Sequence, residues 1–201
     1  MIELFDSPFS GNAYKCRLLL HKLDLAYTRT IVDIDAGATR TPDFLARNPN
    51  GRVPLLRLAD DTYIAESNAI LCWLAKGTRW LPEDRLEFAH VMQWLFFEQY
   101  SHEPNIATSR YWLHHLELTP ERRAALVEKK RLGDAALGVM ETHLARRTYF
   151  VGERYTIADI ALYAYTHVAG EGGFDLEPFP AVRAWLARVA DQPGHVPITA
   201  A

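Results

Sequence analysis

Apolar positions along the chain keep mixed periods up to about residue 77 and a helical period beyond it. Ile2 to Phe5 is a short apolar strand, and Asp6 to Gly11 is rich in turn formers. From Asn12 to Leu23, the residues Cys16, Leu19, Leu20 and Leu23 recur at helical spacing. Tyr27 to Ile34 alternates and is β-branched, so it reads as a second strand. A helix between two strands makes the unit βαβ and the strands parallel. Thr41-Pro42-Asp43 opens a helix, with Thr41 as N-cap and Pro42 at the first helical position. Asn48-Pro49-Asn50-Gly51 is a turn, and Val53–Leu58 and Thr62–Ala65 pair as a hairpin. Ser67 then caps a helix running to about Lys76, with Gly77 at its C-cap.

Gly77 to Asp84 reads as a linker, after which almost every pattern is helical. Leu86 to His102 is one apolar-rich helix, breaking or kinking at Pro104. A second pattern runs from Asn105 to Leu116, and Pro120 sits in the first turn of a long charged helix reaching about Arg146. Thr156-Ile157-Ala158-Asp159 is a capping-box signature, with Tyr155 and Ile160 at the hydrophobic-staple positions. The Ala- and Tyr-rich helix after it should be buried and end at Gly170 to Gly173. Pro180 to Val189 is the last clear helix, and the tail beyond it is expected to fray. The organisation predicted is therefore an α/β domain over 1–77, a linker over 78–84 and an all-helical domain over 85–201.

Composition narrows the function classes. With 201 residues, 49% of them hydrophobic and 23% charged, the chain is typical of a soluble globular protein. A net charge of −3 does not favour nucleic acid as a partner. There is no Cys/His metal spacing and no phosphate-binding loop, so no metal is expected. Apolar runs are far shorter than the ~20 residues needed to span a bilayer, so no membrane association is expected. An N-terminus carrying Glu3 and Asp6 does not read as a signal peptide. The two cysteines, Cys16 and Cys72, suggest no disulfide framework, which fits a reducing cytoplasm.

Three strings carry chemistry together. Ser10-Gly11-Asn12-Ala13-Tyr14-Lys15 puts a hydroxyl at a helix start, Val53-Pro54 offers an extended backbone edge, and Glu66-Ser67 places a carboxylate before a second helix start. Such a pocket suits a small zwitterionic peptide whose thiol must be ionised. The element order β-α-β-α-β-β-α resembles the thioredoxin-like fold. With a helical second domain added, nearly the whole chain resembles the cytosolic glutathione transferases, nearest to bacterial serine-type enzymes of the theta and nu classes. The strings Asn48-Pro49-Asn50-Gly51-Arg52-Val53-Pro54 and Thr156-Ile157-Ala158-Asp159 carry that resemblance as well.

The resemblance implies glutathione as co-substrate and Ser10 as the hydroxyl that stabilises its thiolate. Asn12 is similar to the asparagine of the nu-type Thr-Pro-Asn string and would donate a second bond. Moving a thiol pKa from ~8.5 to ~6.5 requires roughly 2.7 kcal/mol. One hydrogen bond to a charged group supplies roughly 1.5–3 kcal/mol, and a helix N-terminus adds roughly 0.3–1 kcal/mol. No general base is needed. A plain N-cap is the alternative role of Ser10, and Ser7 is the rival hydroxyl. Strand 1 ends in Phe5 and Asp6, so the tyrosine-type mode does not apply. The absence of Cys-x-x-Cys at the helix start excludes dithiol exchange by the protein at this site. Cys16 reads as a small buried hydrophobe.

The resemblance also implies a cis Pro54 that turns the Val53 backbone toward the ligand, where it pairs with the peptide like an extra strand. Ser67 would bind the α-carboxylate and Glu66 the ammonium group, while Arg52 and Arg40 could reach the glycyl carboxylate and Phe9 would line the site. A hydrophobic second-substrate site between the domains would use Tyr100, His102, Tyr111 and Trp112, although aromatics at helical spacing also build cores. The activity implied is glutathione S-transferase, in a homodimer. Two rivals stay open. One is glutathione-dependent peroxide or disulfide reduction of nu type. The other is a non-catalytic module of the same fold that serves protein interaction.

Overall fold

Strands β1 (Ile2–Asp6), β2 (Tyr27–Ile31), β3 (Leu55–Arg57) and β4 (Tyr63–Ala65) form one sheet in the order β2-β1-β3-β4. The computed structural model from which this is read describes residues 1–200. β1 and β2 are parallel across helix α1 (Gly11–Lys22), and β3 pairs antiparallel with β1 and β4. Alternation sorts the two faces. The cross-strand pair Phe5–Leu55 packs with Val32 and with Phe44 of α2 (Pro42–Arg47). The next pair, Leu4–Leu56, is fully buried on the opposite face. There α1 packs on α3 (Ser67–Ala75). β2 stops at Ile31 rather than Ile34 because the Asp33 carboxylate accepts from the amides of Asp35 and Ala36 and turns the chain.

Two compact units emerge: Met1–Lys76 with the tail from Pro193 onward, and Gly77–Gln192. The tail is docked on the first unit rather than frayed, so the second unit ends at Gln192 and does not run to the C-terminus. The Tyr14 hydroxyl donates to Val196 O at 2.6 Å, and Arg17 donates to Ile198 O at 2.9 Å and Ala200 O at 3.0 Å. Arg29 also donates to Ala200 O, at 2.8 Å. Arg17 is buried and ion-paired to the buried Asp6 at 3.0 Å, so its remaining donors need the tail carbonyls.

In the second unit, α4 (Arg85–Phe97) runs into a π-helical stretch, Glu98–His102, and then into α5 (Glu103–His115). Pro104 therefore breaks nothing. The helical path continues through it directly after the π-helical stretch, and Asn105 Nδ2 donates to Ser101 O at 2.7 Å. α6 (Pro120–Leu144), α7 (Ile157–Thr166) and α8 (Pro180–Ala190) follow. The segment 78–84 is packed rather than a free spacer: Trp80 meets Tyr155 edge-on at 5.2 Å, and Trp80 O accepts from Ile157 N at 3.0 Å. The capping box at Thr156 and Asp159 is formed, and every residue of α7 is buried. Among the described residues no helix is long and apolar enough to cross a membrane.

Gly133 of α6 marks the tightest approach in this unit, since a Cβ there would lie 2.2 Å from Cε1 of the buried Phe174. Gly133→Ala is expected to lower stability by about 1–3 kcal/mol by overpacking. A urea titration checks this as a lower midpoint at unchanged slope.

Candidate active site

The loop after β1 delivers Ser10 to the start of α1. Ser10 N donates to Ser7 O at 2.9 Å, and Ser10 is the N-cap, its Oγ accepting from Ala13 N at 3.2 Å. The cap uses an oxygen lone pair and leaves the hydroxyl hydrogen out of that bond. Capping and thiolate binding are thus compatible roles of one hydroxyl.

Asn12, the second residue of α1, meets the start of α3. Its Oδ1 accepts from Lys15 Nζ at 2.7 Å and from Ser67 Oγ at 3.3 Å, and Lys15 Nζ also reaches Ser67 Oγ at 3.3 Å. Cys16 Sγ donates weakly to Asn12 O and Ser67 O at 3.8 and 4.0 Å, which ties the same two helices. Burial pushes the Cys16 thiol far up, so it stays protonated and inert, as a structural cysteine does.

Ser67 does not cap α3. Glu66 occupies the N-cap position at φ 68°, ψ 116° without a side-chain cap bond, and Ser67 is the first helical residue. From that position its hydroxyl turns to Asn12 and Lys15 instead of to the amides ahead. A positive φ on a glutamate costs about 1–3 kcal/mol, and such strain clusters at binding sites. The exposed Glu66 carboxylate accepts from Asn50 Nδ2 at 3.2 Å.

Asn50 belongs to the turn that precedes the Val53–Pro54 peptide, which is cis. Asn48 locks that turn by donating to Arg52 O at 2.8 Å and accepting from Asn50 N at 3.1 Å. Arg40 donates to Asn50 O at 3.1 Å. Gly51, at φ 61°, lets Arg40 lie close, since a Cβ there would be 2.6 Å from its Nη1. Asn12 and Ser67 are thus joined by the α1–α3 packing, Ser10 stands two residues before Asn12 at the cap of α1, and Arg40, Asn50 and Glu66 are linked through the turn. Arg52 is exposed at the turn's end, and Phe9, 57% exposed, precedes Ser10. Sequence reasoning gave no role to Lys15 or Asn50, although both stand in the strings it singled out. The spacing of Lys15 three residues after Asn12 was a signal for the first.

Two family models match: the N-terminal domain of glutathione S-transferase over residues 9–76, and its C-terminal domain over residues 83–193. The chain belongs to the glutathione S-transferase family. It is similar to a crystal structure of a glutathione S-transferase from Pseudomonas fluorescens, at 50% identity and a TM-score of 0.97 over 99% of both chains. It is also similar to the disulfide-bond oxidoreductase YfcG of Escherichia coli, 28% identical over 96% of this chain and 92% of that one. A third likeness is the glutathione transferase URE2P8 of Phanerochaete chrysosporium, solved with oxidized glutathione, at 28% identity and a TM-score of 0.86 over 96% of this chain and 90% of that one.

The residues that the glutathione S-transferase resemblance assigned to a second-substrate wall differ in burial and contacts. Tyr100 is 89% exposed, whereas His102, two residues on, is 0% exposed, and its Nε2 lies 2.9 Å from Thr166 Oγ1. The Thr166 hydroxyl donates to Leu162 O at 2.6 Å, so His102 must donate from Nε2. His102 is a core residue of the helical unit and cannot line an open wall. Tyr111 stacks on His115 at 4.9 Å, and Trp112 carries Lys129 over its ring at 5.3 Å. An apolar hollow of about 380 Å³ in this unit is bounded by Leu113, Leu126, Val127 and Gly172 and includes none of the four. Among the described residues no group of three or more His, Cys, Asp or Glu could hold a metal ion.

Proposed function

We propose that this protein is a glutathione transferase whose first unit binds glutathione and stabilises its thiolate with Ser10 and Asn12. The observation that carries the reading is the junction of two helix starts, with Asn12 Oδ1 and Ser67 Oγ 3.3 Å apart. It brings a thiol-end donor set and a carboxylate-end donor set within one peptide's reach. The thiolate attacks an electrophilic carbon of a hydrophobic acceptor, a C–S bond forms, and the leaving group departs with the electron pair. Glu66 takes the ligand's ammonium group, Ser67 and the first amides of α3 take its α-carboxylate, and Val53 pairs with its backbone. Arg40 and Arg52 serve the glycyl carboxylate and Phe9 flanks the site. Tyr100, Tyr111 and Trp112 contribute to acceptor binding.

A homodimer in the cytoplasm is the assembly and location proposed with this reading, and the exposed Phe88 and Phe96 of α4 support the dimer.

A second reading shares the pocket and changes the acceptor. Asn12 and the likeness to a disulfide-bond oxidoreductase support it. There the glutathione thiolate attacks one sulfur of a disulfide, the S–S bond breaks, and a second glutathione thiolate resolves the mixed disulfide to oxidized glutathione.

Glutathione titration with thiolate absorbance recorded against pH tests the shared step. A bound-thiol pKa well below ~8.5 is expected, and Ser67→Ala should weaken binding about tenfold by removing a hydrogen bond to a charged group. Turnover of an aromatic halide against turnover of a mixed disulfide then separates the two acceptors. Absence of binding overturns both and leaves a non-catalytic module.

A further inference from the structure

We propose that Lys15 is a positioning residue that joins the thiol end of the peptide site to its glutamyl end; the inference rests on the glutathione reading above. Lys15 is 0% exposed, an unusual fate for a lysine. Its Nζ bonds Asn12 Oδ1 at 2.7 Å and Ser67 Oγ at 3.3 Å, and Ser67 Oγ donates to that same Asn12 oxygen at 3.3 Å. Three polar atoms from two helices thus close one ring.

Helix geometry explains the placement. Residues three apart share a face of α1, so Asn12 and Lys15 both look toward α3, which packs there. Both donors reach the amide oxygen of Asn12; Ser67 has one hydroxyl hydrogen and turns it to a bound carboxylate, so Lys15 is the donor that keeps hold of that oxygen. The amide is then held with its Nδ2 edge turned the other way, as a donor for a sulfur. Without Lys15 the amide can rotate by half a turn and offer its oxygen, which repels a thiolate.

The second effect is charge. At the first turn of α3 the backbone amides supply a fractional positive charge. Lys15 stands directly behind Ser67 Oγ and adds a whole one. A carboxylate or thiolate arriving at this junction meets an ammonium buried in low dielectric, where its field is weakly screened. Burying an ammonium is unfavourable unless it is hydrogen-bonded, and Lys15 is held by Asn12 Oδ1 and Ser67 Oγ.

The test compares the native chain with Lys15→Met, Asn12→Ala, Ser67→Ala and the double variant Lys15→Met/Asn12→Ala. For each, the glutathione Kd and the pH titration of the bound thiolate are measured. Methionine is close in length and apolar, and it removes the cost of burying an ammonium.

Lys15→Met is expected to raise the bound-thiol pKa by about one unit, a tenfold loss of thiolate at fixed pH. It should also weaken glutathione binding about tenfold. Asn12→Ala should move chiefly the pKa and Ser67→Ala chiefly the affinity, so only Lys15→Met moves both. In the Asn12→Ala background Lys15→Met should shift the pKa less, because the two act through one amide.

A folded Lys15→Met chain with native Kd and native thiol pKa overturns the inference while the glutathione reading stands. Absence of glutathione binding by the native chain overturns both. If Lys15→Met fails to fold, Lys15→Gln carries the same comparison. It keeps a donor without the charge, and it should retain most of the thiol shift while losing affinity; native affinity there overturns the charge argument.

Discussion

Asp159→Ala is expected to destabilise the helical unit by about 3–5 kcal/mol, a large part of the 5–15 kcal/mol that holds a typical domain folded. The carboxylate is fully buried where three segments meet. Its Oδ1 accepts from Phe150 N at 3.2 Å and Trp185 Nε1 at 3.0 Å, and its Oδ2 accepts from Thr156 N at 2.9 Å and Thr156 Oγ1 at 3.2 Å. It therefore starts α7, holds the stretch before it and pins Trp185 of α8. Alanine strands two amides and an indole N–H in the core, each unsatisfied group costing about 1–3 kcal/mol. Relief of the carboxylate's own desolvation offsets part of the sum. Asp159→Asn keeps one oxygen and turns an NH2 toward two donors, so an intermediate loss is expected. Urea midpoints followed by tryptophan fluorescence check the order, and equal midpoints for the three proteins would refute this role for the carboxylate.

Asp159 also gives stability a pH signature. Burial raises its pKa from 3.8 to about 6, against the pull of its donors. A folded pKa above the unfolded one favours folding most at pH below ~4, an advantage lost as pH rises through ~6. Two units correspond to roughly 3 kcal/mol. His143 and His167 act with the opposite sign, because burial lowers their pKa and disfavours folding in acid. The difference between native chain and Asp159→Asn isolates the carboxylate, and that difference should narrow as pH rises from 4 to 7.

Much of the fold is legible because its signals are local. The Thr41–Pro42 helix start and the Thr156–Asp159 capping box each depend on residues within one turn, and the βαβ start on the periodicity of three neighbouring stretches. What escaped depends on distance or on backbone. A positive φ at a glycine can be read from a sequence; at Glu66 it cannot, so Ser67 was taken for the cap. The π-helical stretch Glu98–His102 keeps the apolar spacing of an ordinary helix, and Pro104 drew the break to itself. The docking of the tail uses carbonyl oxygens, which have no letter in the sequence. Of the candidate site, Ser10, Asn12, Glu66 and Ser67 stand out in the sequence because helix starts are visible. Lys15 was given no role because lysines are ordinarily solvated, and His102 was assigned to a wall although it is buried, because an aromatic stripe serves cores and pockets alike.

Ser10→Ala is expected to raise the pKa of bound glutathione by one to two units and to lower kcat/KM at neutral pH by about 10- to 100-fold. A hydrogen bond to a charged sulfur is worth about 1.5–3 kcal/mol, and 1.36 kcal/mol moves a pKa by about one unit. The remaining donors, Asn12 and the amides opening α1, keep part of the shift, so activity should fall without vanishing. The substitution also removes a cap, for its Oγ accepts from Ala13 N at 3.2 Å, and cap loss to alanine costs about 1 kcal/mol of stability. The two roles separate with Ser10→Gly, since glycine at an N-cap costs only a few tenths of a kcal/mol. Alanine and glycine should share the thiol shift and differ in stability. Threonine, which keeps the hydroxyl, should preserve both. Thiolate absorbance against pH reads the first property and urea midpoints the second. A bound-thiol pKa unmoved in both the alanine and the glycine variants would leave Ser10 as a cap alone and transfer the thiolate to Asn12 and the helix start.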